Sequence, residues 1–126
     1  MKDQLITFEL AKLAKKNKFI GYKSTMHYRI SEEALINGLI EDHTDHNLTV
    51  DYLSAPPQSV LQKWLREIHN IIVSPFYVST ILGDLENKYG CTISKKGSVY
   101  DFDIEYQNTW EEVLEEGLFT GLNLLK

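Results

Sequence analysis

The side chains with chemical reach are few, and their spacing is loose. Asp42, His43, Asp45 and His46 are four ligand-capable groups in one short polar stretch. A metal centre needs three or four such groups converging at fixed distances. One helical turn would bring His43 and His46 together, but Glu41 to Asn47 reads as a turn, so a solvated loop is the favoured reading. Asp101, Asp103 and Glu105 alternate along a strand-like segment. Carboxylates on one strand face could bind a divalent cation or raise one another's proton affinity. The commoner outcome is the wet face of an antiparallel sheet. His69 has the chemistry of a base, yet spacing ties no serine or cysteine nucleophile to it. Cys91 lies in a strand pattern and reads as a small buried hydrophobe. No glycine-rich phosphate loop, HExxH pair, cysteine cluster or calcium loop occurs. No catalytic residue, metal ligand or cofactor site is therefore expected.

The remaining candidate is electrostatic. Lys12, Lys15, Lys16, Lys18 and Lys23 form the one polyanion-binding footprint, with Tyr22 and Tyr28 nearby as stacking surfaces. Residues 1–30 hold seven basic and two acidic side chains, a local +5, and residues 97–126 hold one and seven, a local −6. The whole chain carries −5, which disfavours nonspecific nucleic-acid binding, a process driven by phosphate neutralisation. The bland alternative for the lysines is the wet side of a helix. The basic and acidic ends could also face each other, within one chain or across a symmetric pair.

The elements that must position these groups follow from periodicity. Thr7 caps a helix over about 7–17, with Leu10 where a capping-box acid would sit, so only half the box exists. Phe19 to Ile30 has a partial period of two and reads as a short strand or extended loop. Ser31, with Glu32 and Glu33 behind it, predicts a short helix ending near Glu41. Leu48, Val50 and Tyr52 alternate with polar residues and predict a half-exposed strand. Pro56-Pro57 opens the clearest helix, to residue 69, with Ser54 as its cap and a stripe of Val60, Leu61, Trp64, Leu65 and Ile68. Asn70 closes it. Ile71 to Val78 reads as a strand that Pro75 demotes to an edge or a bulge. Residues 79–88 fit either a helical turn or a long loop. Tyr89 to Ser94 and Val99 to Tyr106 form a hairpin, with Tyr100, Phe102, Ile104 and Tyr106 on one face. Thr109 and Glu112 complete a capping box for the last helix, to residue 125, in which Gly117 and Gly121 offer close approach to a sheet.

Three blocks also carry a resemblance. They are Ser54-Ala55-Pro56-Pro57-Gln58-Ser59-Val60-Leu61-Gln62-Lys63-Trp64-Leu65-Arg66-Glu67-Ile68-His69-Asn70-Ile71, Asn108-Thr109-Trp110-Glu111-Glu112-Val113-Leu114-Glu115-Glu116-Gly117-Leu118, and the opening Thr7-Phe8-Glu9-Leu10-Ala11-Lys12-Leu13-Ala14. In this order they resemble a family of small uncharacterised proteins of Bacteroides-type bacteria and their phages. The resemblance implies a bacterial or phage setting and a mobile-element association. It implies no activity, ligand or catalytic residue.

Size and composition bound the rest. A chain of 126 residues fits one domain, and 43% hydrophobic with 25% charged residues excludes a disordered tract. A single cysteine excludes an internal disulfide framework. No apolar run approaches the roughly 20 residues of a membrane span. The charges at Glu9, Lys12, Lys15 and Lys16 interrupt the opening segment, so it reads as a helix and not as an export signal. The expectation is a single α+β domain over 1–126, with an antiparallel sheet of three to four strands and helices packed on one face. It is placed in the cytoplasm, with a protein partner or homo-oligomer, without membrane and without nucleic acid. Its function is that of an accessory or protein-binding module without catalytic activity. The alternatives are a nucleic-acid-binding accessory protein using the lysine cluster and an enzyme with an unrecognised site.

Overall fold

Thr7 is extended and its hydroxyl accepts the Leu10 amide at 3.3 Å, which starts α1, Phe8–Lys16. The helix buries Leu10, Ala11 and Ala14 and turns Lys12 and Lys16 outward. Its end is closed by two backbone bonds, Phe19 N–H to Ala14 C=O and Lys18 N–H to Lys15 C=O, each 3.0 Å, with Lys18 at φ 64°. This is the paired pattern of a Schellman ending, in which a left-handed residue reverses the chain and an apolar residue follows. Phe19 is that residue and is buried.

The computed structural model describes residues 4–23, 26–37, 45–78, 88–96 and 101–125, the side chains of 101–103 excepted. The chain divides into two compact units, Met1–Val60 and Leu61–Lys126. The class is α+β. Where one sheet was expected, the strands divide between two three-stranded antiparallel sheets.

In the first unit β1, Met26–Arg29, lies between β2, Ala34–Asn37, and β3, Tyr52–Ser54. The helix expected from Ser31 is absent over 31–37. Those residues form a turn, with Glu33 at φ 51° and the Arg29 guanidinium donating to Glu32 at 3.1 Å, followed by β2. The reason is burial. A cap and two acids favour a helix start, but Ala34 to Asn37 have alternating burial, and β-branched Ile36 suits a strand better than a helix. The rest of that expected helix, 38–41, lies outside the described residues.

The strand expected from Leu48 begins instead at Tyr52. His46–Leu48 is a single 3-10 turn, and two of the three alternating apolar residues face water, Leu48 71% and Val50 87% exposed. What holds this stretch is polar. Ser54 N–H donates to Asn47 Oδ1 at 2.8 Å, and the Lys15 ammonium donates to the carbonyls of Thr49 and of Tyr52, the latter at 3.0 Å. Both side chains engage β3, an edge strand, and occupy backbone groups that would otherwise template another strand.

Ser54 therefore belongs to β3 and caps no helix. α2 is Gln58–His69, and the N-terminal stretch meets its start: Gln58 N–H donates to Gln4 C=O at 2.7 Å, and Ile6 N–H to Pro56 C=O at 3.0 Å. In the second unit Leu61 and Leu65 are fully buried, and Trp64 is half-buried against the His69 ring at 4.6 Å. Ile68 is 61% exposed, so the buried stripe is narrower than the spacing predicted. It lies in the last turn, which ends where Asn70, at φ 57°, reverses the chain into β4.

β4, Ile71–Tyr77, pairs with β5, Tyr89–Lys95, and β5 pairs with β6, Asp101–Gln107. Residues 79–87 of the ambiguous segment 79–88 lie outside the described residues, as do 97–100 of the hairpin. β4 is an edge of its sheet, one of the two outcomes that Pro75 left open. Val78 N–H bonds to Lys88 C=O at 2.9 Å, so the alternation of the ladder points the backbone groups of Val73 and Pro75 away from β5. Gln62 Nε2 donates to Val73 C=O at 2.7 Å, and Pro75 has no N–H to offer. α3, Trp110–Asn123, covers the face that carries Val73 and Cys91.

The start of α3 follows the expected box with one change. The Thr109 hydroxyl receives the Glu112 amide at 3.1 Å and donates to the Glu112 carboxylate at 2.9 Å, where return of the carboxylate to the Thr109 amide was expected. Thr109→Ala is expected to lower stability by about 1 kcal/mol, measured as a shift in urea midpoint at unchanged slope.

Candidate functional site

A dense polar cluster lies in the first unit. Asp45 caps the 3-10 turn: its carboxylate accepts the Asn47 amide at 3.2 Å and also the Gly21 amide. Asn47 is buried and links two distant segments, donating to Phe19 C=O at 2.7 Å while accepting from Ser54 N–H. His46 stacks on His27 with ring centroids 4.0 Å apart and planes 18° from parallel, and both rings are buried. Tyr52 presents its ring edge-on to each, at 5.0 Å from His27 and 6.0 Å from His46. The Arg29 guanidinium lies 6.0 Å from the Tyr52 ring centre and is held by Glu32.

This cluster accounts for half of the ligand set that the sequence offered. Asp45 and His46 are used in a cap and a ring stack, and Asp42 and His43 lie outside the described residues. Among the described residues no three His, Cys, Asp or Glu side chains are placed to hold a metal ion. Sequence reasoning missed His27, whose partner is 19 residues away in the chain. Its period-two neighbours marked a strand, but nothing local marked a ring stack.

Ser54 lies opposite His27 in the β1–β3 register, and its buried hydroxyl has no hydrogen-bond partner among the described residues. A buried hydroxyl without a partner costs about 1–3 kcal/mol. Ser54→Ala is therefore expected to leave stability unchanged or to raise it, read from the thermal midpoint. A clear loss would place a bond on that oxygen.

The lysine footprint is divided. Lys12 pairs with Glu9 at 3.2 Å and lies 5.3 Å from the centre of the Phe8 ring. Lys15 is engaged by the carbonyls of Thr49 and Tyr52. Lys16, Lys18 and Lys23 remain exposed on the surface. The expected stacking rings are engaged too: the Tyr28 hydroxyl donates to Ile6 C=O at 2.7 Å, and the Tyr22 ring lies 6.1 Å from Phe19.

In the second unit Cys91 is buried beneath α3, and burial pushes its thiol up to about 11, so it stays protonated and unreactive at neutral pH. His69 rests against Trp64. Glu105 is exposed, while the side chains of Asp101 and Asp103 lie outside the description. The new feature here is aromatic. The register pairs Tyr89 with Gln107 but Cys91 with Ile104, so a bulge interrupts β6. The extra residue turns Tyr106 away from the face of Ile104, against the simple alternation. It meets Phe76 edge-on at 6.2 Å, and both rings close over Gly90, where an added Cβ would lie 2.4 Å from Phe76 and 2.8 Å from Tyr106. Phe76 and Tyr106 are 41% and 42% exposed. A glycine inside a strand pattern was the signal that could have announced the bulge.

Among the described residues no helix is long and apolar enough to cross a membrane. Comparison with protein-family models, with curated proteins and with solved structures gives no match.

Proposed function

We propose that this protein is a noncatalytic accessory or protein-binding module of the bacterial or phage cytoplasm, and that its partner docks on the face of the second sheet opposite α3. One observation carries this reading: Phe76 and Tyr106, half-exposed and in mutual contact, stand together over Gly90 on that face. Aromatic side chains of this kind supply large contact area at low entropic cost and are enriched at interface centres. The buried, protonated Cys91 and the structural use of Asp45 and His46 also favour binding over catalysis.

The test is affinity capture from the native host with the wild-type chain and with Phe76→Thr/Tyr106→Thr, compared by quantitative mass spectrometry. Threonine keeps strand preference while removing the rings. A protein retained by the wild type and lost with the variant supports the reading. Identical retention on both counts against it.

A further inference from the structure

We propose that the first unit carries a docking tip for an anionic lipid surface, in which Ile20, Leu48 and Val50 enter the headgroup layer while Lys16, Lys18 and Lys23 meet its negative charge. This goes beyond the protein-docking face and uses other residues. Three exposed aliphatic side chains sit on two segments that hydrogen bonds lace together. Phe19 C=O is held by Asn47, Gly21 N–H by Asp45 and Thr49 C=O by Lys15. Ile20 thus lies between two anchored residues, and Leu48 and Val50 flank a third. The tip is held by its own polar framework, so its aliphatic groups face water on a fixed support and not on a frayed loop.

The surroundings are cationic. Lys16, Lys18 and Lys23 are exposed and form no ion pair among the described residues. Among the described residues, Glu9 is paired with Lys12 and the Asp45 carboxylate accepts two amides. Asp51 is exposed beside Val50 and subtracts one charge. Acids more than about 8 Å away are screened at physiological salt, so the net charge of −5 does not set the local field.

Charge alone would admit any polyanion, and the aliphatic groups decide among them. A nucleic acid is met by lysine at phosphate and by aromatic rings at bases, which would leave Leu48 and Val50 in water. Lysine is depleted at protein interfaces relative to other surface. Aliphatic side chains ringed by lysine are the composition of a membrane-surface anchor, which requires no spanning helix.

The experiment is co-sedimentation of the full chain with phosphatidylcholine vesicles, with and without phosphatidylserine, across a salt series. Partition is expected to rise about tenfold with phosphatidylserine and to fall with salt. Leu48→Gln/Val50→Gln keeps the charge and is expected to lose about tenfold in partition. Lys16→Gln/Lys18→Gln/Lys23→Gln is expected to abolish the phosphatidylserine dependence. All five positions are exposed, and circular dichroism melts check that each variant folds. Absence of binding, binding indifferent to phosphatidylserine, or wild-type binding by the Leu48/Val50 variant overturns the proposal. So does salt-dependent binding of duplex DNA or RNA, read by fluorescence anisotropy, that the lysine variant loses and the Leu48/Val50 variant keeps.

Discussion

Gly117→Val is expected to destabilise the protein by about 3 kcal/mol, the upper part of the usual range for forcing extra methylenes into a packed core. A Cβ on Gly117 would lie 2.7 Å from Cys91 Sγ and 2.7 Å from Val73 Cγ1. Neither neighbour is the loose end of a long side chain. Cys91 and Val73 stand on paired strands, and both are buried. Relief therefore requires α3 to lift from the sheet, which exposes Leu118 and Leu114. Gly121→Ala is the control. Its added carbon would meet Leu65 Cδ1 at 3.2 Å and two methyl carbons at 3.4 Å. The gain in helix propensity, about 1 kcal/mol, offsets that crowding, so a change near zero is expected. Urea denaturation of the two variants side by side tests both values. Equal effects would show that helix propensity, and not the approach of α3 to the sheet, dominates at these positions.

Asn47→Ala is expected to cost about 2–4 kcal/mol, because it strips two buried backbone groups of their partner at once. Phe19 C=O loses its donor and Ser54 N–H its acceptor. Among the described residues, Asp45 already accepts two amides and Lys15 reaches carbonyls further along the chain, so neither replaces both bonds. The Ser54 amide reports the loss directly. Its hydrogen exchange is expected to be slow in the wild type, where Asn47 accepts the amide, and to accelerate in the variant more than that of amides in β5. Asn47→Asp separates the two bonds: a carboxylate can still accept from Ser54 but cannot donate to Phe19 C=O. An alanine variant as stable as the wild type would mean that β3 is held by its pairing with β1 and by Lys15, without Asn47.

The two substitutions divide the molecule by how its structure is specified. Features that depend on neighbours three or four residues apart were legible. Thr7 and Thr109 cap the helices expected of them, Asn70 stops α2 in the left-handed conformation, and Pro75 sits on an edge strand. The glycine pair in α3 faces the sheet as its spacing implied. These are short-range preferences of backbone and capping groups, and they act before any distant segment arrives.

What the chain alone could not disclose was decided by partners distant in sequence. Asn47 reaches Phe19 across 28 residues, and Lys15 reaches Tyr52 across 37. Those bonds, and not periodicity, set where β3 begins, and they leave Leu48 and Val50 in water although their alternation read as a buried face. Ser31 to Asn37 had the acids and cap of a helix start, but pairing with β1 satisfied the backbone of Ala34 to Asn37 as a strand. The Phe76–Tyr106 pair required a bulge whose position depends on two strands at once. Amino-acid sequence by itself determined the starts of α1 and α3, the end of α2, the edge strand and the α+β class, because each rests on local sterics and capping. Tertiary structure alone decided which apolar residues stay exposed and which polar side chains hold the edges, because a hydrogen bond between distant residues exists only once the fold has paid the entropy of bringing them together.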